Sequence, residues 1–212
     1  MSELQTRPRA DTWVAASWEE YVCTIEDPIY EKAKGYYYKG HMRIEMLPVS
    51  FDHGQDHVVI ILAVNLFAAI KGIPLRGLDT TTLRKPGVRE CQQDVSYSIG
   101  DRVQAISSGT GIVNLDQYPA PNLVIEVAKT SLLDDIGTKR ALYEELGVAE
   151  YWVVDVQNTQ ILAYAIAEQG SQRIQVSQVL PGLTIAILEE AFRRSRQMNH
   201  GKVSAWLLSR SA

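Results

Sequence analysis

Residues 121–155 read PNLVIEVAKTSLLDDIGTKRALYEELGVAEYWVVD, and this stretch decides the fold. It opens with the almost continuously apolar run 122–127, which is typical of a strand covered on both faces. Apolar side chains then recur at helical spacing over residues 133–146, and Gly147 ends the pattern. Another apolar strand follows at 151–156. Strand, helix and strand in this order predict a β-α-β unit.

The rest of the chain supplies further helices and strands around this unit. We expect an α/β (α+β) fold, a mixed sheet flanked by helices, with residues 1–30 as an N-terminal segment containing a helix and residues 31–212 as one domain. The remaining predicted helices are 16–26, 56–71, 185–197 and 203–208; the remaining strands are 36–39, 42–47, 80–83, 90–99, 160–167 and 173–179; and a long loop covers 100–121.

Composition and charge limit the class of protein. A chain of 212 residues with 46% hydrophobic and 22% charged residues can bury a full core. Its formal net charge of −4 argues against a protein that coats nucleic acid non-specifically, although a local basic patch remains compatible.

The cysteines and the apolar segments indicate the compartment. Cys23 and Cys91 form no CxxC pair, so we expect no thiolate zinc site, and reduced thiols favour a cytoplasmic location. The N-terminus lacks the apolar segment of a signal peptide. The longest apolar run, 58–70, is shorter than the roughly 20 residues that a membrane span needs, so we expect a buried helix and no membrane association.

Glu126 and Lys139 stand out because both fall on apolar faces. Glu126 interrupts the apolar strand, where an unpaired carboxylate costs several kcal/mol. Lys139 shares a helical stripe with Leu142 and Leu146, so it points inward. The alternatives are a solvent-facing glutamate at the strand end, and a snorkelling lysine or a simple pair with Asp135. The pattern favours one buried polar site that contains both residues.

Asp94 is a third candidate, on the polar face of strand 90–99, where an acid alone needs no special explanation. Two carboxylates from neighbouring strand ends can hold a hard cation such as Mg²⁺. The cation activates a water molecule, and a nearby lysine orients that water or neutralises a phosphate.

The 121–155 stretch resembles the core of the Uma-two family of bacterial proteins, which is described as restriction-endonuclease-like with the PD-(D/E)xK nuclease fold. The resemblance extends over roughly residues 36–180. The specific matches are Glu126-Val127, Asp135 and Lys139 four residues apart, Tyr143, Gly147-Val148, Glu150-Tyr151-Trp152 and Asp155. The looser matches, earlier in the chain, are Gln93-Asp94-Val95, Ile44-Glu45-Met46, Pro48 and His53-Gly54.

The resemblance implies roles for particular residues. Asp94 and Glu126 correspond to the carboxylates that bind Mg²⁺ (or Mn²⁺), and Lys139 corresponds to the catalytic lysine. The simple motif places its lysine at position 128, which is Ala128 here, and a lysine from the following helix is a known variation. Lys129 is a rival. The sequence departs from the family pattern at three points: Gln93 replaces proline, Lys129-Thr130 replaces Ser-Pro, and the loop before Asp135 is shorter. The shorter loop affects where Lys139 lies.

Accessory residues follow from the same comparison. Glu45 is a candidate third acid or a strand-edge charge. His53, expected just before a helix, is a candidate cap or supporting group, and His57 is expected to be structural. Cationic side chains that flank the Asp94 strand are candidates for DNA contact, namely Arg84, Lys85 and Arg89.

Three hypotheses result from the sequence. The first is a metal-dependent endonuclease that hydrolyses DNA phosphodiester bonds, plausibly as a homodimer because duplex cleavage needs two active sites or two visits. The second is a nuclease-like fold that binds nucleic acid or a protein but does not cut. The third is a purely structural ion pair between Glu126 and Lys139, which predicts their direct contact.

Overall fold

In a computed structural model, residues 10–46 and 51–211 of the protein are described. Leu47, a predicted strand end, and Pro48 of the resemblance lie outside those residues. The strands are β1 (Val14–Ala15), β2 (Ala33–Tyr38), β3 (His41–Met46), β4 (Leu75–Asp79), β5 (Thr82–Lys85), β6 (Arg89–Gln92), β7 (Val95–Ile99), β8 (Val113–Asn114), β9 (Leu123–Ala128), β10 (Glu150–Asp155), β11 (Gln160–Ala167) and β12 (Gly170–Arg173).

The helices pack on the faces of two mixed sheets, so the predicted α+β class is confirmed. They are α1 (Trp18–Ile25), α2 (Phe51–Lys71), α3 (in three parts, Leu132–Asp134, Asp135–Lys139 and Arg140–Leu146), α4 (Ile185–Ser195) and α5 (His200–Ser211).

The predicted β-α-β unit lies at the centre of one sheet, whose strand order is β12-β11-β10-β9-β7-β4. The strands β9 and β10 are parallel, with Glu126 opposite Val153, and α3 connects them. Every residue of both strands is buried, as the apolar sequence predicts. The other sheet has the order β1-β3-β2-β6-β5-β8 and contains the predicted β2–β3 hairpin, whose turn residues Lys39 and Gly40 have φ of 47° and 73°.

The predicted single strand 90–99 is wrong, because the chain changes sheets within it. Residues up to Gln92 form β6 in one sheet, and residues from Val95 form β7 in the other. Gln93 and Asp94 make the corner and are both buried. Cys91 therefore packs in a different core cluster from Val95, although alternation of the sequence places them on one face.

Other boundaries shift for local reasons. The strand predicted at 80–83 is β5, and the preceding strand β4 was missed because its glycine and charged residues give little apolar signal. The strand predicted at 173–179 is wrong: β12 ends at Arg173, and Val176 makes one isolated bridge to Thr184. The 100–121 loop contains a short helical turn and β8.

The N-terminal helix α1 joins the first sheet rather than standing apart from it. Ser17 caps the helix through a reciprocal pair of bonds with Glu20. Tyr21 packs on Tyr37, with ring centroids 5.3 Å apart, and both belong to one buried cluster with Ile44. The helix therefore covers the face of β2 and β3.

Helix α2 begins at Phe51, five residues before its predicted start, so His53 lies inside the helix and not before it. Asp52 in the first turn suits the positive end of the helix dipole. By length and composition α2 could cross a membrane, but a core helix passes the same test. Its residues Val59, Ile60 and Val64 are fully buried in the main core, as the sequence predicts.

Gly35 provides a test of how α1 packs on β2. A Cβ at Gly35 would lie 2.3 Å from Tyr21 Oη and 2.8 Å from Ile25 Cγ1. The Tyr21 hydroxyl is fixed by donation to Glu90, so it cannot move freely. We expect Gly35→Ala to lower the free energy of unfolding by about 1–3 kcal/mol in urea denaturation.

Gly54→Ala is the matched control, since a Cβ there meets nothing within 4 Å. Helix propensity predicts that it stabilises the protein by up to about 1 kcal/mol. Equal effects of the two substitutions would contradict this packing of α1.

Candidate active site

Asp94 is held at the corner between the two sheets by contacts to both its backbone and its side chain. Its carbonyl accepts from the Thr80 N–H at 2.9 Å and lies 3.3 Å from His57 Nε2. Its Oδ2 accepts from the Val127 N–H at 2.7 Å, and its Oδ1 lies 2.5 Å from Lys34 Nζ. Because Val127 follows Glu126 in β9, the backbone contact fixes one carboxylate next to the other.

Glu126 points into a ring of hydroxyl and ammonium groups. Its Oε1 accepts from Tyr143 Oη at 2.6 Å and from Tyr36 Oη at 3.3 Å. Its Oε2 lies 3.8 Å from Lys34 Nζ. The two carboxylates predicted from the sequence therefore meet at one cation, the ammonium of Lys34.

The sequence analysis missed Lys34, which comes from the opposite sheet. It lies on β2 directly across from Glu45 and is 4% exposed. The available signal was alternation, because Lys34, Tyr36 and Tyr38 share one face of a strand. The predicted strand started at Tyr36 and so left the lysine outside.

The shared ammonium affects the two carboxylates differently. Burial alone would raise the pKa of Asp94, but the Lys34 ammonium and the Val127 N–H hold it well below its usual range. Burial raises the pKa of Glu126 to about 8, because Lys34 and Lys139 offset only part of that cost. The pKa of Lys34 is raised, since Asp94 and Glu126 outweigh the effect of burial. The Lys34 ammonium thus holds Asp94 in its ionised form, whereas Glu126 keeps a raised pKa.

Lys139 is buried, with 1% exposure, and it binds acids other than Glu126. Its Nζ lies 2.9 Å from Asp135 Oδ1 and 2.9 Å from Glu45 Oε1. These neighbours raise the pKa of Lys139 against the opposing effect of burial. The predicted helix 133–146 is present as α3, but it is kinked within Asp135–Lys139, where Gly137 has a non-helical φ of −107° and ψ of −105°.

Tyr36 connects the two groups of charges. The Lys139 ammonium lies 4.2 Å from the centroid of the Tyr36 ring, whose hydroxyl reaches Glu126. No ion pair within 4.0 Å joins Glu126 and Lys139 in the described chain. The direct contact that a purely structural Glu126–Lys139 pair requires is therefore absent from the described residues.

The accessory candidates differ in how close they come to the carboxylates. Glu45 is bound to Lys139 and to Arg43 Nε, at 2.6 Å from the latter. His53 Nε2 lies 3.9 Å from Asp94 Oδ1, and burial lowers the pKa of this imidazole. Lys129 pairs with Asp52 at 3.6 Å, and its side chain is 36% exposed. Of these candidates, His53 approaches the carboxylate pair.

The predicted DNA-contact residues are mostly engaged within the protein. Arg84 pairs with Glu90 and lies over the Trp18 ring, 5.7 Å from its centroid. Arg89 pairs with Glu145 at 3.0 Å. Lys85 is exposed at the end of β5. A role for these residues in binding DNA stays a prediction.

The carboxylate oxygens of Asp94 and Glu126 are suitable ligands for a hard divalent cation. Asp94 Oδ1 and Glu126 Oε2 already face one positive charge, the ammonium of Lys34. In the described part of the chain no group of three or more His, Cys, Asp or Glu side chains could hold a metal. Mg²⁺ commonly binds one or two carboxylates and keeps several waters, so a pair is sufficient.

The fold and the buried carboxylate–lysine site define a class, a protein with a nuclease-like α+β fold. The model of the Uma2 family, described as "Putative restriction endonuclease", matches residues 18–201, so the chain belongs to this family and the resemblance seen in the sequence is confirmed. A solved structure with a similar fold is a putative nuclease belonging to DUF820 from Anabaena variabilis ATCC 29413. It is 16% identical with a TM-score of 0.55, over 91% of this chain and 99% of that one. No curated protein matches the chain.

Removal of the Lys139 ammonium should destabilise the fold. Lys139→Met would leave Glu45 and Asp135 facing each other without their shared cation. We expect the free energy of unfolding to fall by about 3–5 kcal/mol in urea denaturation. Adding Glu45→Gln and Asp135→Asn should recover most of that loss, because the buried charges are then gone.

Lys129→Met is the matched control, since its half-exposed pair with Asp52 is worth about 0–1 kcal/mol. A loss no larger for Lys139→Met than for this control would show that the buried lysine is not the required counter-ion.

Proposed function

We propose that the protein is a metal-dependent endonuclease that hydrolyses phosphodiester bonds in DNA. The observation that carries the proposal is the meeting of Asp94 and Glu126 at one cation position. It is supported by membership of the family described as "Putative restriction endonuclease" and by a fold similar to that of a protein described as a putative nuclease.

Each residue around the pair has a role in this proposal. Asp94 and Glu126 would hold Mg²⁺ or Mn²⁺, which when bound activates a water molecule and neutralises charge on a phosphate. The Val127 N–H fixes one oxygen of Asp94, and Tyr143 fixes one oxygen of Glu126. Each carboxylate thus keeps one oxygen bound by the protein and directs the other towards the cation.

The lysine assigned from the family pattern acts less directly in this arrangement. Lys139 is held by two acids and lies against the Tyr36 ring. It therefore positions Tyr36 and contributes positive charge near Glu126, whereas Lys34 is the lysine in contact with the carboxylates.

Substrate, assembly and location are part of the same proposal. DNA is the substrate class that the family description indicates. A homodimer would present two sites to the two strands of a duplex. Free Cys23 and Cys91 agree with a reducing cytoplasmic location.

The carboxylates provide the test of activity. We expect Asp94→Asn and Glu126→Gln each to lower Mg²⁺-dependent DNA cleavage by at least about 100-fold, because each removes a carboxylate that would hold the metal. The measurement is nicking of supercoiled plasmid, with circular dichroism to verify the fold.

Glu168→Gln, at an exposed turn, is the control and should cleave as the wild type does. Cleavage at equal rates by the wild type and Glu126→Gln would refute this assignment of the active site.

A second candidate is a DNA-binding protein that does not cut, and the internal pairing of charges favours it. Lys34 already neutralises Asp94, and Lys139 is bound by Glu45 and Asp135. This function predicts no heat on calorimetric titration with Mg²⁺ or Mn²⁺, and salt-dependent DNA affinity that is the same in wild type and Glu126→Gln. Binding of the metal that depends on Glu126 would exclude it.

A further inference from the structure

We propose that Lys34 is an internal counter-ion that holds the Asp94–Glu126 pair together until a divalent metal displaces its ammonium. This inference rests on the proposed function and adds a positioning residue to Asp94 and Glu126. Lys34 and the metal are then alternative occupants of one position.

The position of the ammonium is defined by two carboxylate oxygens. Lys34 Nζ lies 2.5 Å from Asp94 Oδ1 and 3.8 Å from Glu126 Oε2, and the side chain is 5% exposed. These are the two oxygens that would bind a metal. The ammonium stands between the two oxygens where the metal would bind, and two cations cannot occupy one position, so one excludes the other.

Neighbouring groups keep the carboxylates in place when the ammonium leaves. Asp94 Oδ2 remains bound by the Val127 N–H, and Glu126 Oε1 remains bound by the Tyr143 hydroxyl. The oxygens released are Asp94 Oδ1 and Glu126 Oε2. The pair can therefore exchange one cation for another without a change of the backbone.

The other cations near the site cannot take the place of Lys34, and His53, whose imidazole lies 3.9 Å from Asp94 Oδ1, has a pKa lowered by burial and so is neutral at neutral pH. Lys139 is fixed by Glu45 and Asp135, and Arg43 is fixed by Glu45 and by Asp134 at 2.9 Å. Lysine, in turn, is suited to displacement because its ammonium sits on a flexible four-carbon stem and does not make the rigid two-point contact of arginine.

Calorimetric titration with Mn²⁺ tests the competition in chelator-treated, full-length protein. The specific site is the one that Glu126→Gln removes. We expect Lys34→Met to bind Mn²⁺ at that site at least about tenfold more tightly than wild type, because the competing charge is gone. Lys32→Met, which makes the same change at an exposed position two residues earlier, should leave the affinity unchanged.

Amine labelling of the wild-type protein tests directly whether metal displaces the Lys34 ammonium. It tests the proposal without the variant if Lys34→Met does not fold. We expect mass spectrometry to find Lys34 resistant to acylation without metal and labelled several-fold faster at saturating Mn²⁺, with Lys32 unaffected.

The contrary results separate this inference from the proposed function. Wild-type binding of Mn²⁺ with unchanged or weaker binding by Lys34→Met, or with unchanged labelling of Lys34, would overturn the inference and leave a metal-dependent function standing. Absence of Mn²⁺ binding in the wild type and in Lys34→Met would overturn both.

Discussion

Lys34 lies on β2 of one sheet, Glu126 lies on β9 of the other, and Asp94 lies at the corner between them, so this ion bridge also joins the two sheets. The corner at Gln93–Asp94 is where the chain passes between them. Burying charged groups costs several kcal/mol for each ion unless each finds partners, and even well-paired buried ions are weak evidence of stabilisation. The arrangement is more readily explained by a function for the site than by a need for stability.

The surrounding hydroxyl groups explain why the site is rigid. Tyr36 and Tyr143 reach Glu126 from a strand of one sheet and from the connecting helix of the other. Tyr143 also stacks on Tyr151, with ring centroids 4.8 Å apart. The tyrosines thus fix the carboxylate by hydrogen bonds and are themselves fixed by packing. A site built in this way is preorganised by the core around it.

The sequence predicted those parts of the site that depend on local periodicity. The β-α-β unit, the burial of Glu126 and the inward direction of Lys139 all follow from apolar spacing within single strands and helices. The change of sheet at Asp94 was missed because a single polar residue, Gln93, is the only interruption of the alternation there. Lys34 was missed for a related reason: its partners are 60 and 92 residues away in sequence. The kink at Gly137 breaks a helical pattern that the side chains alone do not interrupt.

The charges of the site distinguish a metal centre from a closed structural network. The acids of the site are Asp94, Glu126 and Asp135, which are buried, and Glu45, which is partly buried, whereas its lysines and arginine are the buried Lys34, Lys139 and Arg43. Arg43 also pairs with Asp134, so the site has more acids than basic side chains to pair with them. Glu126 is the least compensated acid, and burial raises its pKa to about 8. A network selected only for internal pairing would place a cation or a neutral residue there. Without metal the raised pKa lets Glu126 hold a proton at neutral pH, so the Lys34 ammonium balances Asp94 alone. A divalent cation in place of that ammonium would balance both carboxylates in their ionised form, which is the form that binds metal.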